Sequence, residues 1–326
     1  MKEQMQTNLL KKFCVFVCCL TAMFFSAGVS RTTAETTVEI NLQEYFDGVN
    51  GTAIFYYPES DTYAVYQKEL SEKRSSPCST FKIFSTYVGL DMGVIQMNDS
   101  VRTWNGTRYW YEPWNRDIGL PDAFRQSCVW YYRQVIDDIG QPVMQAYIDE
   151  MNYGNRDISD WQGDLNEGEP LTDLKGFWLE SSLKISPKEQ IQVLRRIMED
   201  PAKGEIANTL KLLMLTRDDA ATGLKVYGKT GFGRVDGKNA DAWFVGLYER
   251  DGRAAYFAVR LDDPDNSKAT SDKAKEIALS IINDMAGNPL FTESRRISHS
   301  DAKAAKSCVS RWKSKLTGMV KRDIIN

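Results

Sequence analysis

The side chains with the clearest capacity for chemistry lie in Pro77-Cys78-Ser79-Thr80-Phe81-Lys82, where a serine and a lysine stand three residues apart. On a helix that spacing puts both on one face, with the amine in hydrogen-bond reach of the hydroxyl. A serine attacks poorly until a base removes its proton, and lysine is such a base only when its amine is neutral or chemically converted. Burial against Phe81 and other apolar groups disfavours the ammonium form, so Ser79 and Lys82 are a candidate nucleophile and base. The spacing alone is a weak signal, because it recurs at Ser181 to Lys184, Ser300 to Lys303 and Ser310 to Lys313. The single histidine, His299, sits in a polar, basic stretch and reads as a solvated residue. Serine chemistry here must therefore recruit a base other than imidazole.

Three further stretches matter through their order: Ser127-Cys128-Val129, Tyr153-Gly154-Asn155 and Lys229-Thr230-Gly231-Phe232. Ser-Cys-Val recurs at Ser307 to Val309, whereas the other two motifs occur once each. Singly, each has a plain structural reading: Phe81 and Val129 as core, Trp178 as packing in an apolar run, Tyr153-Gly154-Asn155 as a helix-ending turn.

The elements that must position these residues follow from periodicity. Residues 51–67 read as a hairpin, with Thr52 to Tyr57 and Thr62 to Tyr66 on either side of a Pro-Glu-Ser-Asp turn. A helix from about Ser79 to Met92 carries the nucleophile. Between about 98 and 220 apolar residues recur at helical spacing, in Val129 to Ile139, Val143 to Met151 and Glu189 to Met198, with Pro187 placed to open a helix after Ser186. Strand signals resume at Leu224, and Ala240 to Glu249 and Arg253 to Leu261 are joined by an Arg250-Asp251-Gly252 turn. A last helix runs from about Ser271 to Met285. Strands at both ends of the chain around a helical block predict an α+β fold: a mixed, mostly antiparallel sheet flanked by helices, with an inserted helical subdomain.

The totals bound the rest. A net charge of -3, from 41 basic and 44 acidic side chains, gives no nucleic-acid signal. Lys11 and Lys12 followed by an apolar run from Phe13 to Val29 predict a signal peptide over 1–34 and a secreted, extracytoplasmic body without a stable membrane span; an uncleaved anchor is the alternative. The main domain is expected over 35–292, and 293–326 reads as a basic tail. No Cys-x-x-Cys pair among the six cysteines points to a metal.

Ser-x-x-Lys, Ser-x-Val, Tyr-Gly-Asn and Lys-Thr-Gly, in this order, are the motifs of the penicillin-recognising serine enzymes. In this form the chain resembles class D β-lactamases over about 38–290, including Phe177-Trp178-Leu179-Glu180. The resemblance implies a β-lactamase/transpeptidase-like fold and a β-lactam substrate, most simply a penicillin. It implies Ser79 as the acylated nucleophile and Lys82 as general base, carboxylated by carbon dioxide, with the Trp178 indole donating to the carbamate and no other cofactor. Val129, Phe81 and Trp178 would keep the pocket dry. Ser127 would pass a proton to the departing nitrogen with Lys229 beside it. Lys229, Thr230, Gly231, Phe232, Tyr153 and Asn155 would contact the substrate, and the Ser79 and Phe232 N–H groups would form the oxyanion hole. A Cys78–Cys128 disulfide is a further expectation.

One departure stands out: the family's carboxylate-binding arginine falls on Ala274, with Lys273 or Lys268 as possible substitutes. A penicillin sensor that acylates but barely deacylates, a D,D-peptidase and a catalytically weak relative are the competing functions.

Overall fold

The computed structural model describes residues 35–235 and 237–286. The expected signal peptide, the basic tail and His299 lie outside them. In chain order the elements are β1 (Thr36–Glu39), α1 (Gln43–Phe46), β2 (Gly51–Tyr57), β3 (Thr62–Tyr66), α2 (Lys68–Glu72) and α3 (Phe81–Asp91). A helical block follows: α4 (Leu120–Arg125), α5 (Val129–Ile139), α6 (Gln141–Glu150), α7 (Pro187–Glu199) and α8 (Gly204–Met214). Then come β4 (Leu215–Asp219), β5 (Leu224–Val235), β6 (Lys238–Arg250), β7 (Arg253–Leu261) and α9 (Ser271–Ala286).

The strands form one seven-stranded sheet in the order β1-β3-β2-β7-β6-β5-β4. β1 runs parallel to β3, and every other pairing is antiparallel. The join between the two ends of the chain is β2 on β7, in register from Gly51 with Leu261 to Tyr56 with Tyr256. The α+β reading holds. The helical block stops sooner than expected, because residues 215–219 are an edge strand and not the end of the insert. Its Leu-Thr-Arg-Asp-Asp sequence is charged, which suits an edge and hides the strand from a periodicity search. β1 was likewise not anticipated; it is four residues long and mostly exposed.

Burial divides between two faces. On one side of the sheet Phe81, Phe84, Trp130, Tyr153, Phe177 and Trp178 join the helical block in a core rich in aromatic rings. On the other, Phe55, Phe244, Phe257, Ala274, Ile277, Ala278 and Ile281 form a second core that buries α9 against β5, β6 and β7. Helix α7 begins as its sequence requires: Ser186 caps the Glu189 N–H, the Glu189 side chain returns to the Ser186 N–H, and Pro187 occupies the first turn.

A buried ion pair ties β6 to β7 near the site. Arg260 Nε lies 2.7 Å from Asp241 Oδ1, with the two side chains 2% and 6% exposed. Ser75 Oγ donates to the other Asp241 oxygen. Removing Asp241 leaves the buried Arg260 only its longer contact with Asp262, at 3.4 Å, so Asp241→Ala is expected to cost about 3 kcal/mol of unfolding free energy, read from the urea midpoint.

Candidate active site

Residues 75–80 are held in place before α3 begins. The Trp243 indole donates to Ser76 O at 3.0 Å, and the Cys78 N–H donates to Trp178 O at 3.0 Å. Ser76 Oγ donates to Trp178 O and accepts from the Glu180 N–H. Cys78 to Thr80 form a single 3-10 turn that leads into α3, so Ser79 sits at the helix entrance and Lys82 one turn deeper. Cys78 takes a left-handed φ of 48°.

Lys82 is fully buried and its Nζ donates to Ser79 Oγ at 2.9 Å. The amine also stands 5.4 Å from the centre of the Tyr132 ring. Desolvation is the main cause that draws its pKa down to about 8, so about a tenth of the amine is neutral at pH 7, far more than for an ordinary lysine. Phe81, Phe177 and Trp178 pack ring on ring behind it, with centroid separations of 5.1 to 6.0 Å. Trp178 Nε1 is buried with no hydrogen-bond partner among the described residues.

A second serine and lysine meet beside the first. Ser127, at a left-handed φ of 58°, immediately precedes Cys128 at the entrance to α5. Lys229 Nζ reaches it from β5, donating to Ser127 Oγ at 3.0 Å and to Thr230 O at 3.0 Å. Lys229 is buried, and desolvation, then the like charges of Lys82 and Lys275, hold its pKa well below the usual lysine value. β5 thus carries Lys229, Gly231 and Gly233 on the face that meets these turns. A Cβ on Gly231 would lie 3.0 Å from Pro77 O and from Thr80 Cγ2, so the nucleophile turn presses directly on the strand. Thr230 and Phe232 point the other way and are half-buried, as is Val129 at the start of α5.

Four expectations are corrected. Cys78 and Cys128 are both free and buried, and Cys78 Sγ turns to Glu180 Oε1 at 3.0 Å, so the disulfide does not form. Tyr153 does not line the cleft: it is buried beneath α3, its ring edge-on to Phe81 at 5.4 Å and 4.9 Å from Phe84. Asn155 is spent on structure, accepting from the Lys184 N–H at 2.9 Å and donating to Ser182 O at 2.8 Å. Lys268 and Lys273 each end on a carboxylate, of Asp47 and Glu276, so neither is a free cation for substrate. Ala274 is buried against the sheet.

The roles of two residues went unnoticed in the sequence. Lys275, in the first turn of α9, is half-buried and near enough to Lys229 to oppose its charge. The Glu180 carboxyl is pushed up to about 7, chiefly by burial. No spacing rule announces either.

Two serine–lysine pairs held beside one strand, with no imidazole among the described residues, mark out a serine acyl-transfer domain of the penicillin-recognising class. Comparison with known proteins makes this specific. The chain belongs to the penicillin binding protein transpeptidase domain family, whose model matches residues 50–283. It is similar to the methicillin resistance mecR1 protein of Staphylococcus aureus, 30% identical over an alignment of 293 residues that covers 85% of this chain and 46% of that protein. It is similar also to the probable beta-lactamase YbxI of Bacillus subtilis, 31% identical over 75% of this chain and 84% of that one. Among solved structures, the C-terminal domain of the Bacillus licheniformis BlaR penicillin receptor superposes with a TM-score of 0.68 at 28% identity, covering 78% of this chain and 99% of that domain. A class D beta-lactamase from Bacillus subtilis gives 0.65 at 31% identity, covering 75% and 95%. The chain spans less than half the length of the mecR1 and BlaR1 relatives, at 46% and 37%. Among the described residues no helix is long and apolar enough to cross a membrane.

The position of Tyr153 gives a direct check. Its hydroxyl is buried without a partner among the described residues, so Tyr153→Phe removes an unsatisfied group and is expected to leave the melting temperature equal or higher. The rate of acylation by benzylpenicillin should not change; a substrate-binding tyrosine would lower it.

Proposed function

We propose that the chain is an extracytoplasmic serine β-lactamase of the class D kind, acylated by penicillins at Ser79 and freed by hydrolysis. The observation that carries this reading is the Lys82 amine, which is buried among aromatic rings, sits 2.9 Å from the Ser79 oxygen and is depressed to about 8. Lys82 takes the Ser79 proton as Oγ bonds to the lactam carbonyl carbon. The Ser79 and Phe232 N–H groups face the oxygen on which charge develops; one such donor is worth about 3 kcal/mol in comparable sites. As the carbon–nitrogen bond breaks, the nitrogen takes a proton from Ser127, and Lys229, hydrogen-bonded to Ser127 at 3.0 Å, replaces it. Hydrolysis of the ester then needs a base for water, and Lys82 fills that role once the proton it took from Ser79 has been handed on to replace the one Lys229 gave up.

The class D resemblance implies a carbamate on Lys82, and the residues fit one. Trp178 Nε1 is a buried donor with no acceptor of its own, and a lysine depressed by burial has the neutral amine that reacts with carbon dioxide. Lys82 would hold the group and Trp178 would donate to it. When present it supplies a carboxylate oxygen as base.

The substrate carboxylate falls to Lys229 and Lys275. With Lys268 and Lys273 tied to acids, Lys275 has no carboxylate partner among the described residues and offers its charge to the substrate carboxylate, the same charge being one of the causes that lower the Lys229 pKa. A second reading, a sensor that acylates and stays acylated, is supported by the overlap with 99% of the BlaR receptor domain.

Intact-mass spectrometry after mixing with benzylpenicillin separates these outcomes. Adduct that forms and clears on wild-type protein, and never forms on Ser79→Ala, is expected. Adduct that persists for hours means a sensor, and no adduct on wild type overturns acylation altogether. Lys275→Ala is expected to raise KM for benzylpenicillin about tenfold, the size of one charge-assisted contact worth about 1.5 kcal/mol, with kcat little changed.

A further inference from the structure

Glu180 has no part in the acyl-transfer scheme, yet it touches both strands of backbone that scheme depends on. Its Oε1 accepts from Cys78 Sγ at 3.0 Å, next to Ser79. On the opposite side it fills the space where a side chain on Gly233, next to Phe232, would begin: a Cβ there would overlap Oε1 and come within 2.9 Å of Cys78 Sγ. Glu180 itself sits at a left-handed φ of 49°, with its N–H bound to Ser76 Oγ at 2.9 Å.

We propose that Glu180 is a positioning residue for acylation: its carboxyl is the spacer that sets the Ser79 N–H and Phe232 N–H the right distance apart, and it serves best uncharged. The inference rests on acylation of Ser79 as proposed above. A negative charge immediately behind the two donors would oppose the charge developing on the lactam oxygen, whereas a neutral carboxyl of the same shape would not.

The surroundings favour that neutral form. Burial is the largest cause raising the carboxyl to about 7; the Cys78 hydrogen bond lowers it, Asp241 on β6 raises it and Lys184 lowers it. The Cys78 thiol is itself held protonated, its pKa raised chiefly by burial. Asp241 is engaged by Arg260 and Ser75. As pH rises through about 7 Glu180 ionises and acylation loses its best geometry. Lys82 gains its neutral form over the range around 8, so two titrations act in opposite directions.

The test measures the saturating acylation rate with benzylpenicillin, by quenched-flow mass spectrometry, from pH 6 to pH 8.5. Glu180→Gln keeps the acceptor for Cys78 and cannot ionise. It is expected to match wild type within about twofold at pH 6 and exceed it about tenfold at pH 8.5, moving the optimum upward. Glu180→Ala, which removes the spacer, is expected to slow acylation about tenfold or more at every pH, leaving the dissociation constant of the initial complex unchanged, since the displaced donors act on the transition state. A glutamine profile that superimposes on wild type overturns the proposal, and this outcome stands even if the alanine variant fails to fold. Absence of any adduct on wild type is a different failure, that of the acylation reading beneath it.

Discussion

The site exists because a turn and a strand come closer than side chains would allow. Residues 77–80 lie against β5 at Gly231 and beside Gly233, where a Cβ would meet the turn, the Cys78 sulfur or the Glu180 carboxyl. The same strand, one residue before Thr230, sends Lys229 to Ser127. A single stretch of five residues on β5 therefore fixes the nucleophile turn, the second serine and the Glu180 loop with respect to one another. The pairing of β5 with β6, in register from Lys225 with Glu249 to Gly233 with Asp241, makes that stretch rigid.

Around this contact the protein sets two lysines in a desolvated environment. An ammonium buried without a counter-ion is expensive, and the expense is relieved by losing the proton. Lys82 and Lys229 are both driven that way by burial, and each has a serine hydroxyl as partner. The dryness that weakens the charge comes from Phe81, Phe177, Trp178 and Tyr132. The helical block therefore tunes the chemistry as well as completing the core.

Much of the fold was legible in the sequence because its long elements are strongly periodic: the hairpin of β2 and β3, the helices α5 and α7, and the strands β5 to β7 fall close to where alternation and capping residues put them. β4 was missed because a charged edge strand carries no alternating apolar signal. Motif order located the two serine–lysine pairs but not the direction in which each side chain points. Tyr153 and Asn155 belong to the same motif set, yet the turn that contains them faces inward, where Tyr153 meets Phe81 and Phe84 and Asn155 meets the backbone of Lys184. The Cys78 and Cys128 thiols follow the same lesson, since adjacency to two neighbouring serines does not fix where the sulfurs turn. The roles of Lys275 and Glu180 were invisible for a different reason. What distinguishes them is the neighbouring charge each feels, and that is set by residues far apart in the chain.

Cys78, Ser127 and Glu180 share an unfavourable backbone torsion, with φ of 48°, 58° and 49°. A residue with a side chain pays roughly 1 kcal/mol or more to stay in that region, and all three cluster about one cleft. Glycine would relax each position, but it would also delete the thiol, the hydroxyl or the carboxyl there. Variants selected only for heat resistance would thus drift toward glycine at these positions and toward a sturdier, inert protein. The cleft is where this chain stores strain in exchange for reactivity.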